Sequence, residues 1–188
     1  MNLLDFVREV RRLKEVKRKG WTLRGVRNPE SVADHSFMLA ILAYVYSTKL
    51  GLDSEKATKM ALIHDICEVY TGDIATRMRE DEQEVGNEEK VKREREGMEK
   101  LISLLPGEIS EEIRLLWEEF LSCKTREAKL VKDLDRVEMC IQALDYAERD
   151  GGNFEEFFEF AKREIETAEI KKLFEVVYAE FRNLPKKT

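Results

Sequence analysis

Cysteine is scarce and badly spaced for covalent or thiolate chemistry. Cys67, Cys123 and Cys140 are odd in number and far apart, with no Cys-x-x-Cys pair. That excludes a disulfide framework and argues against a thiolate zinc site, leaving reduced, mostly buried thiols. Long apolar runs are also missing. The longest, Phe37 to Tyr46, covers about half of the roughly 20 residues that a bilayer span needs. The amino-terminal stretch LLDFVREVRRLKEVKRK is charged throughout and lacks the apolar middle of a secretory signal, so the expected location is the cytoplasm. Nor is there an excess of positive charge. Lys and Arg number 33 against 39 Asp and Glu, a net charge of -6, which disfavours bulk nucleic acid and anionic membranes but allows a small anion in a local site.

Three prolines and nine glycines punctuate 188 residues, and the stretches between them carry apolar residues three or four apart. This is the helical period, and it predicts an all-α bundle forming one domain over residues 1–188. The first helix is expected from Leu3 to Lys19, with Leu3, Phe6, Val7, Val10, Leu13 and Val16 as its buried stripe and Gly20 as its stop. Its basic face, from Arg8 to Lys19, is read as solvated, with a role for its last turn in attracting phosphate as the alternative. A second helix, Ser31 to Leu50, is apolar on nearly all sides and belongs in the middle of the bundle. Asp53 caps a third that ends near Val69. A charged helix from Glu82 to Leu105, read as exposed, leads to Pro106-Gly107. Two more follow, Glu108 to Ser122 and Arg126 to Arg149. After Gly151-Gly152, helices Phe154 to Glu166 and Ala168 to Arg182 carry a recurrent set of aromatics. These rings, within residues 153–183, are assigned to the core or to a homodimer contact.

The chain has only two histidines, and each stands beside an acid on a deeply placed helix: Asp34-His35 and His64-Asp65. On the third helix, His64 and Glu68 are expected to project from one face and Asp65 to the side by about 100°. Imidazole and carboxylate donors in the groove between two helices suit a divalent ion such as Mn, Fe, Co, Ni or Zn. Another helix must complete the set. The segment KLVKDLDRVEMCIQALDYAERD offers Asp133, Asp135, Glu138 and Asp145, and periodicity alone does not choose among them.

The order ESVADHS, IHDICEVYTGDI and LVKDLDRVEMC resembles the HD-domain phosphohydrolase superfamily, whose signature is His, His-Asp and Asp on an all-α HD-domain helical bundle. GWTLRGVRNPESVADHS and the His-Asp-x-x-Glu-x-x-x-Gly-Asp segment resemble its 5'-deoxynucleotidase branch more specifically. The likeness spans about residues 20–147. It implies metal ligands at His35, His64, Asp65 and Asp135, with Glu68 handling the attacking water and Asp73 beside the substrate sugar. Trp21 and Arg24 match a loop that closes over the nucleotide. Bacterial members carry Arg-Trp at this point, whereas Gly20 precedes Trp21 here, so Lys19 or Arg24 is expected to take over that arginine's contact.

The implied function is metal-dependent hydrolysis of deoxyribonucleoside 5'-monophosphates by water held on one divalent ion (Mn, Co, Zn, Fe or Mg), in a homodimer, with a nucleotide as the small-molecule partner. Such monoesters are among the slowest substrates to hydrolyse uncatalysed, and a divalent ion both neutralises phosphoryl oxygens and acidifies water. Two other readings share these residues: a phosphodiesterase or alarmone hydrolase, and a non-catalytic helical module stabilised by metal.

Overall fold

A computed structural model describes residues 3–74 and 85–185. Local signals account for most helix starts. Helix α3 (Val32–Lys49) opens on a capping box, in which Ser31 Oγ accepts from the Asp34 N–H at 3.2 Å and Asp34 Oδ2 accepts from the Ser31 N–H at 2.8 Å. Asp53 accepts from the Lys56 N–H at 2.9 Å to start α4 (Ser54–Ile63), and Thr125 accepts from the Ala128 N–H at 3.2 Å to start α8 (Arg126–Asp150). The elements between and around these are α1 (Leu3–Arg11), α2 (Lys19–Leu23), α5 (Glu68–Thr71), α6 (Asn87–Ile102), α7 (Gly107–Ser122), α9 (Glu155–Glu164) and α10 (Ala168–Arg182). Among the described residues the extended pairing is limited to one antiparallel bridge, Lys17 with Ser31, so the fold is an all-α bundle. No helix there is long and apolar enough to cross a membrane.

Helix α8 is the hub, packed against α3, α4, α7, α9 and α10. Leu130, Leu134, Val137 and Cys140 sit at its centre, facing Leu39, Met60 and Phe158 in the larger of two apolar cores. The smaller core gathers Leu13, Val32, Ile66, Met98 and Trp117.

Four expectations are corrected. The first helix does not run to Lys19, and Gly20 does not stop it. After Arg11 the chain tightens into a 3-10 turn, Arg12–Lys14, and residues 16–18 leave helical geometry because Val16 O accepts from the Val32 N–H at 2.9 Å and Glu30 O accepts from the Arg18 N–H at 3.1 Å. Gly20 lies inside α2, and of the expected stripe Leu3 and Val7 are exposed while Leu13 is buried. The third helix ends at Ile63 instead of Val69. Helix α3 is not buried all round, since Phe37, Met38, Ile41, Tyr44 and Val45 are exposed. The charged segment is not simply a solvated helix: its described part, α6, packs against α1, α5 and α7 and buries Glu94, Met98 and Leu101, while residues 82–84 lie outside the described residues. The carboxy-terminal aromatics are mostly core, with Phe158, Phe174 and Tyr178 buried and Phe158 stacked on Phe181 at 4.2 Å.

Candidate metal and substrate site

His64 follows the last residue of α4, and there the backbone tightens. The N–H groups of Ile66, Glu68, Val69 and Tyr70 each bond to the carbonyl three residues back, from Ile63 to Cys67. Three residues per turn eclipse side chains at i and i+3. Asp65 is thereby brought onto the face of Glu68 instead of pointing to the side, and both line the same cavity as His64. Gly72 ends this stretch with φ 68 and ψ 168, a left-handed φ that favours glycine, and the reversal sends Asp73 back to the cavity wall.

His35 reaches the same point from α3, its ring centroid 5.3 Å from that of His64. Both imidazoles are locked from behind. His64 Nδ1–H donates to the Ala61 carbonyl at 2.7 Å, and His35 Nδ1 lies 2.5 Å from Glu138 Oε2. A ring that donates through Nδ1 presents the Nε2 lone pair on its other side. His35 Nε2 stands 3.0 Å from Asp135 Oδ1 and His64 Nε2 stands 2.9 Å from Asp65 Oδ2. Neither contact has hydrogen-bond geometry, and both nitrogens are buried without a hydrogen-bond partner. Donor atoms of His35, His64 and Asp135 all fall within 4.8 Å of one another. Buried lone pairs aimed at carboxylates fit a divalent cation, and mixed imidazole and carboxylate donors suit the borderline metals.

The structure separates the acids that periodicity left open on α8. Asp133 turns away and accepts from the N–H groups of Glu166 and Thr167 at 3.1 and 2.7 Å, closing the start of α10. Asp145 is exposed. Glu138 sits behind His35, and Asp135 is left facing both imidazoles. Burial acts to raise the Asp135 carboxyl, but His35, His64 and Arg18 overcome it and hold the group far below the usual range. Burial and Arg18 act to lower His35, yet Glu138 and Asp135 outweigh them and push it up to about 10 in the absence of a cation. Glu68 is buried, and burial together with Asp65 and Asp73 raises its carboxyl well above its ordinary value.

Above these groups opens a cavity of about 350 Å³, the size of a small-molecule site. Its lining mixes the acids Asp65, Glu68 and Asp73 with the cations Arg18, Lys90, Lys132 and Arg136 and with the apolar side chains of Phe120, Met139, Phe157 and Phe160. Four basic residues here, Arg18, Lys90, Lys132 and Arg136, were not singled out from sequence. Arg18, counted there among a solvated basic face, is carried inward by the pairing of residues 16–18 with 30–32 and lies 3.5 Å from Asp65 and 3.9 Å from Glu30. Burial would lower its pKa, but Asp73, Asp135, Asp65 and Glu30 hold it far above. Lys90 of α6 donates to the Ile74 carbonyl at 2.9 Å and so ties α6 to the Gly-Asp turn. Its signal in the sequence was lost in the run of charges around it.

The remaining expected residues sit at the rim or beneath it. The Lys19 backbone N–H donates to Asp73 Oδ2 at 2.6 Å. Trp21 is buried; its Nε1–H donates to Glu30 at 2.8 Å and its ring lies 4.6 Å from that of Phe157. Arg24 pairs with Glu156 at the cavity edge. Cys67 is buried, and burial and the neighbouring acids push its thiol far up, which removes it as a nucleophile.

The HD domain family matches residues 10–176, and the chain belongs to it. Within that family it stands close to the 5'-deoxynucleotidase branch. It is 38% identical over 181 residues to 5'-deoxynucleotidase HDDC2 of Bos taurus, covering 95% of this chain and 85% of that protein. It is 40% identical over 159 residues to the protein of the same name from Danio rerio, covering 84% and 76%. Among solved structures, PH0347 protein from Pyrococcus horikoshii OT3 superposes with a TM-score of 0.75 at 33% identity, over 95% of this chain and 98% of that one.

Proposed function

We propose that this chain is a metal-dependent phosphohydrolase that cleaves deoxyribonucleoside 5'-monophosphates to the deoxyribonucleoside and inorganic phosphate. The observation that carries the reading is the pair of buried, partnerless Nε2 atoms of His35 and His64, aimed at Asp65 and Asp135 beside a cavity lined by both charged and apolar side chains. The naming of the HDDC2 relatives as 5'-deoxynucleotidases narrows the substrate.

His35, His64, Asp65 and Asp135 would hold the ion, which when bound neutralises phosphoryl oxygens and acidifies water. Glu68 takes the proton of the attacking water, and the proton affinity it gains from burial beside Asp65 and Asp73 suits that task. The water oxygen bonds to phosphorus, the ester P–O bond breaks, and the leaving 5'-oxygen takes a proton from solvent to end as a hydroxyl, while the proton held by Glu68 returns to solvent. Arg18 is the cation best placed to meet the phosphate, and this takes over the role first assigned to Lys19 or Arg24. Lys19 contributes its backbone N–H, which orients Asp73 toward the sugar. Phe157 and Phe160 offer an apolar wall for the base, with Trp21 supporting Phe157 from behind. Arg24 stands at the mouth, fixed by Glu156. We further read residues 1–188 as one domain that acts in the cytoplasm on this small molecule, with a net charge of -6 that disfavours bulk nucleic acid.

The test is phosphate release by chelator-stripped protein from deoxy- and ribonucleoside mono-, di- and triphosphates and cyclic nucleotides, with Mn, Co, Mg or Zn restored singly. Metal-restored release confined to deoxy monophosphates is expected. Release from cyclic or polyphosphate substrates alone would replace the substrate class, and none from any would replace the enzyme with a metal-stabilised module.

A further inference from the structure

Glu30 stands immediately before Ser31, the cap of α3, and its side chain is only 7% exposed. It does not line the cavity, so it reaches a ligand only through its neighbours. Two of these do line it. Glu30 Oε1 accepts from the Trp21 Nε1–H at 2.8 Å and lies 3.9 Å from Arg18 Nε. The second contact is an attraction of charge for charge, and in so buried a setting it is little screened.

The carboxylate is held from two sides. Trp21 fixes its oxygen, and the hydroxyl of Tyr146, a buried residue of α8, accepts from the Glu30 N–H at 2.8 Å. The two rings that do this meet edge to face at 5.3 Å. The Glu30 carbonyl accepts in turn from the Arg18 N–H at 3.1 Å, so backbone and side chain of Glu30 both face Arg18. Arg18 meanwhile stands between two acids. Its Nη1 lies 3.5 Å from Asp65 Oδ2, the same oxygen that faces His64 Nε2. A guanidinium drawn fully onto that oxygen would compete with a cation there and turn away from a phosphate.

We propose that Glu30 is a positioning residue for phosphate binding. Held by Trp21 and Tyr146, its carboxylate keeps the Arg18 guanidinium directed at the phosphate and off Asp65. Its role differs from that of Glu138, which serves the metal site through His35. The inference rests on the phosphate contact assigned to Arg18 above.

Glu30→Gln isolates the charge, because an amide oxygen still accepts from Trp21 and the backbone bond to Tyr146 remains. Titration of inorganic phosphate into manganese-loaded protein at pH 8 should give a Kd raised roughly 10-fold, the scale of coupling between residues in contact. Manganese content and helical circular dichroism should be unchanged. KM for a deoxyribonucleoside 5'-monophosphate should rise by a similar factor, with kcat changing much less. In Arg18→Ala, where phosphate is left to the metal, adding Glu30→Gln should move the phosphate Kd by less than about twofold. Tyr146→Phe frees the Glu30 backbone while keeping its charge, and it should raise Kd in the same direction by a smaller factor, again only while Arg18 is present. An unchanged Kd in Glu30→Gln, or an equal loss with and without Arg18, overturns the inference. So does a fall in manganese content, since a carboxylate oxygen of Glu30 lies within 4.8 Å of His35 and Glu138 and the effect would then run through the metal site. A native chain that binds phosphate yet cleaves no monophosphate overturns the substrate assigned above and leaves the Kd comparison as the test of Glu30. One that binds no phosphate overturns both.

Discussion

Glu68 Oε2 is buried without a hydrogen-bond partner beside Asp65 and Asp73. The isosteric Glu68→Gln keeps the packing and removes the proton acceptor. It should lower kcat by about 10²–10⁴ with metal content unchanged, as read by phosphate release and elemental analysis. Asp135→Ala should instead reduce bound metal, because it removes the carboxylate that both imidazoles face. Glu138 works one step back, through the Nδ1 of His35. Glu138→Gln should weaken metal affinity by roughly 10- to 100-fold in competition with a chromophoric chelator, with the helical fold retained. Legibility differs sharply among these residues. The His35 and His64-Asp65 words were visible as the chain's only histidines, each beside an acid. On α8, by contrast, periodicity leaves Asp133 and Asp135 symmetric about Leu134; the family resemblance picks Asp135, and the placement of α10 shows how Asp133 is engaged elsewhere.

At the level of elements, the turn after α4 and helix α6 depend on each other. A Cβ added at Gly97 would lie 3.1 Å from the Cys67 carbonyl, so the absence of a side chain there lets α6 close onto the turn that presents His64, Asp65 and Glu68. Gly97→Val should force the two apart, costing about 1–3 kcal/mol in denaturant unfolding and weakening metal binding with it. Gly97→Ala should do much less, since the neighbour need give only a few tenths of an ångström. The sequence periodicity located the long helices well, because their caps and apolar stripes are local signals. It missed the break at Ile63 and the extended residues 16–18. Both are imposed by distant partners: Trp117 Nε1–H donates to the His64 carbonyl at 3.0 Å across 53 positions, and residues 30–32 hold residues 16–18.

For the whole molecule, the site's burden of buried charge predicts how stability responds to pH and metal. In the metal-free protein burial and Glu138 raise Glu30 from 4.5 to about 7, Glu68 is raised well above 4.5, and His35 is raised from 6.5 to about 10. Each binds its proton more tightly folded than unfolded. Their contribution is therefore complete below the unfolded values and is lost as pH rises, first through about 7 and then toward 10. Asp65 and Asp135 have the opposite sign but act below their ordinary 3.8. Scanning calorimetry of chelator-stripped protein should show Tm falling from pH 5 to pH 9. Added Mn or Co should raise Tm, most at the alkaline end, because a cation replaces the protons and binds the folded state alone.

Composition, helical period and the order of the histidine and acid words by themselves determined an all-α chain with a mixed imidazole and carboxylate centre. Such signals are short-range: a cap, a stripe or a pair of adjacent residues carries its chemistry wherever the helix goes. Tertiary structure alone decided that Arg18 turns into the site, that Asp65 and Glu68 share a face, that Lys90 and Gly97 tie a charged helix to the turn after α4, and that α3 is bare on one side. Each depends on which elements meet, and a helix reads the same in sequence whether its second apolar face is covered by its own chain or left open.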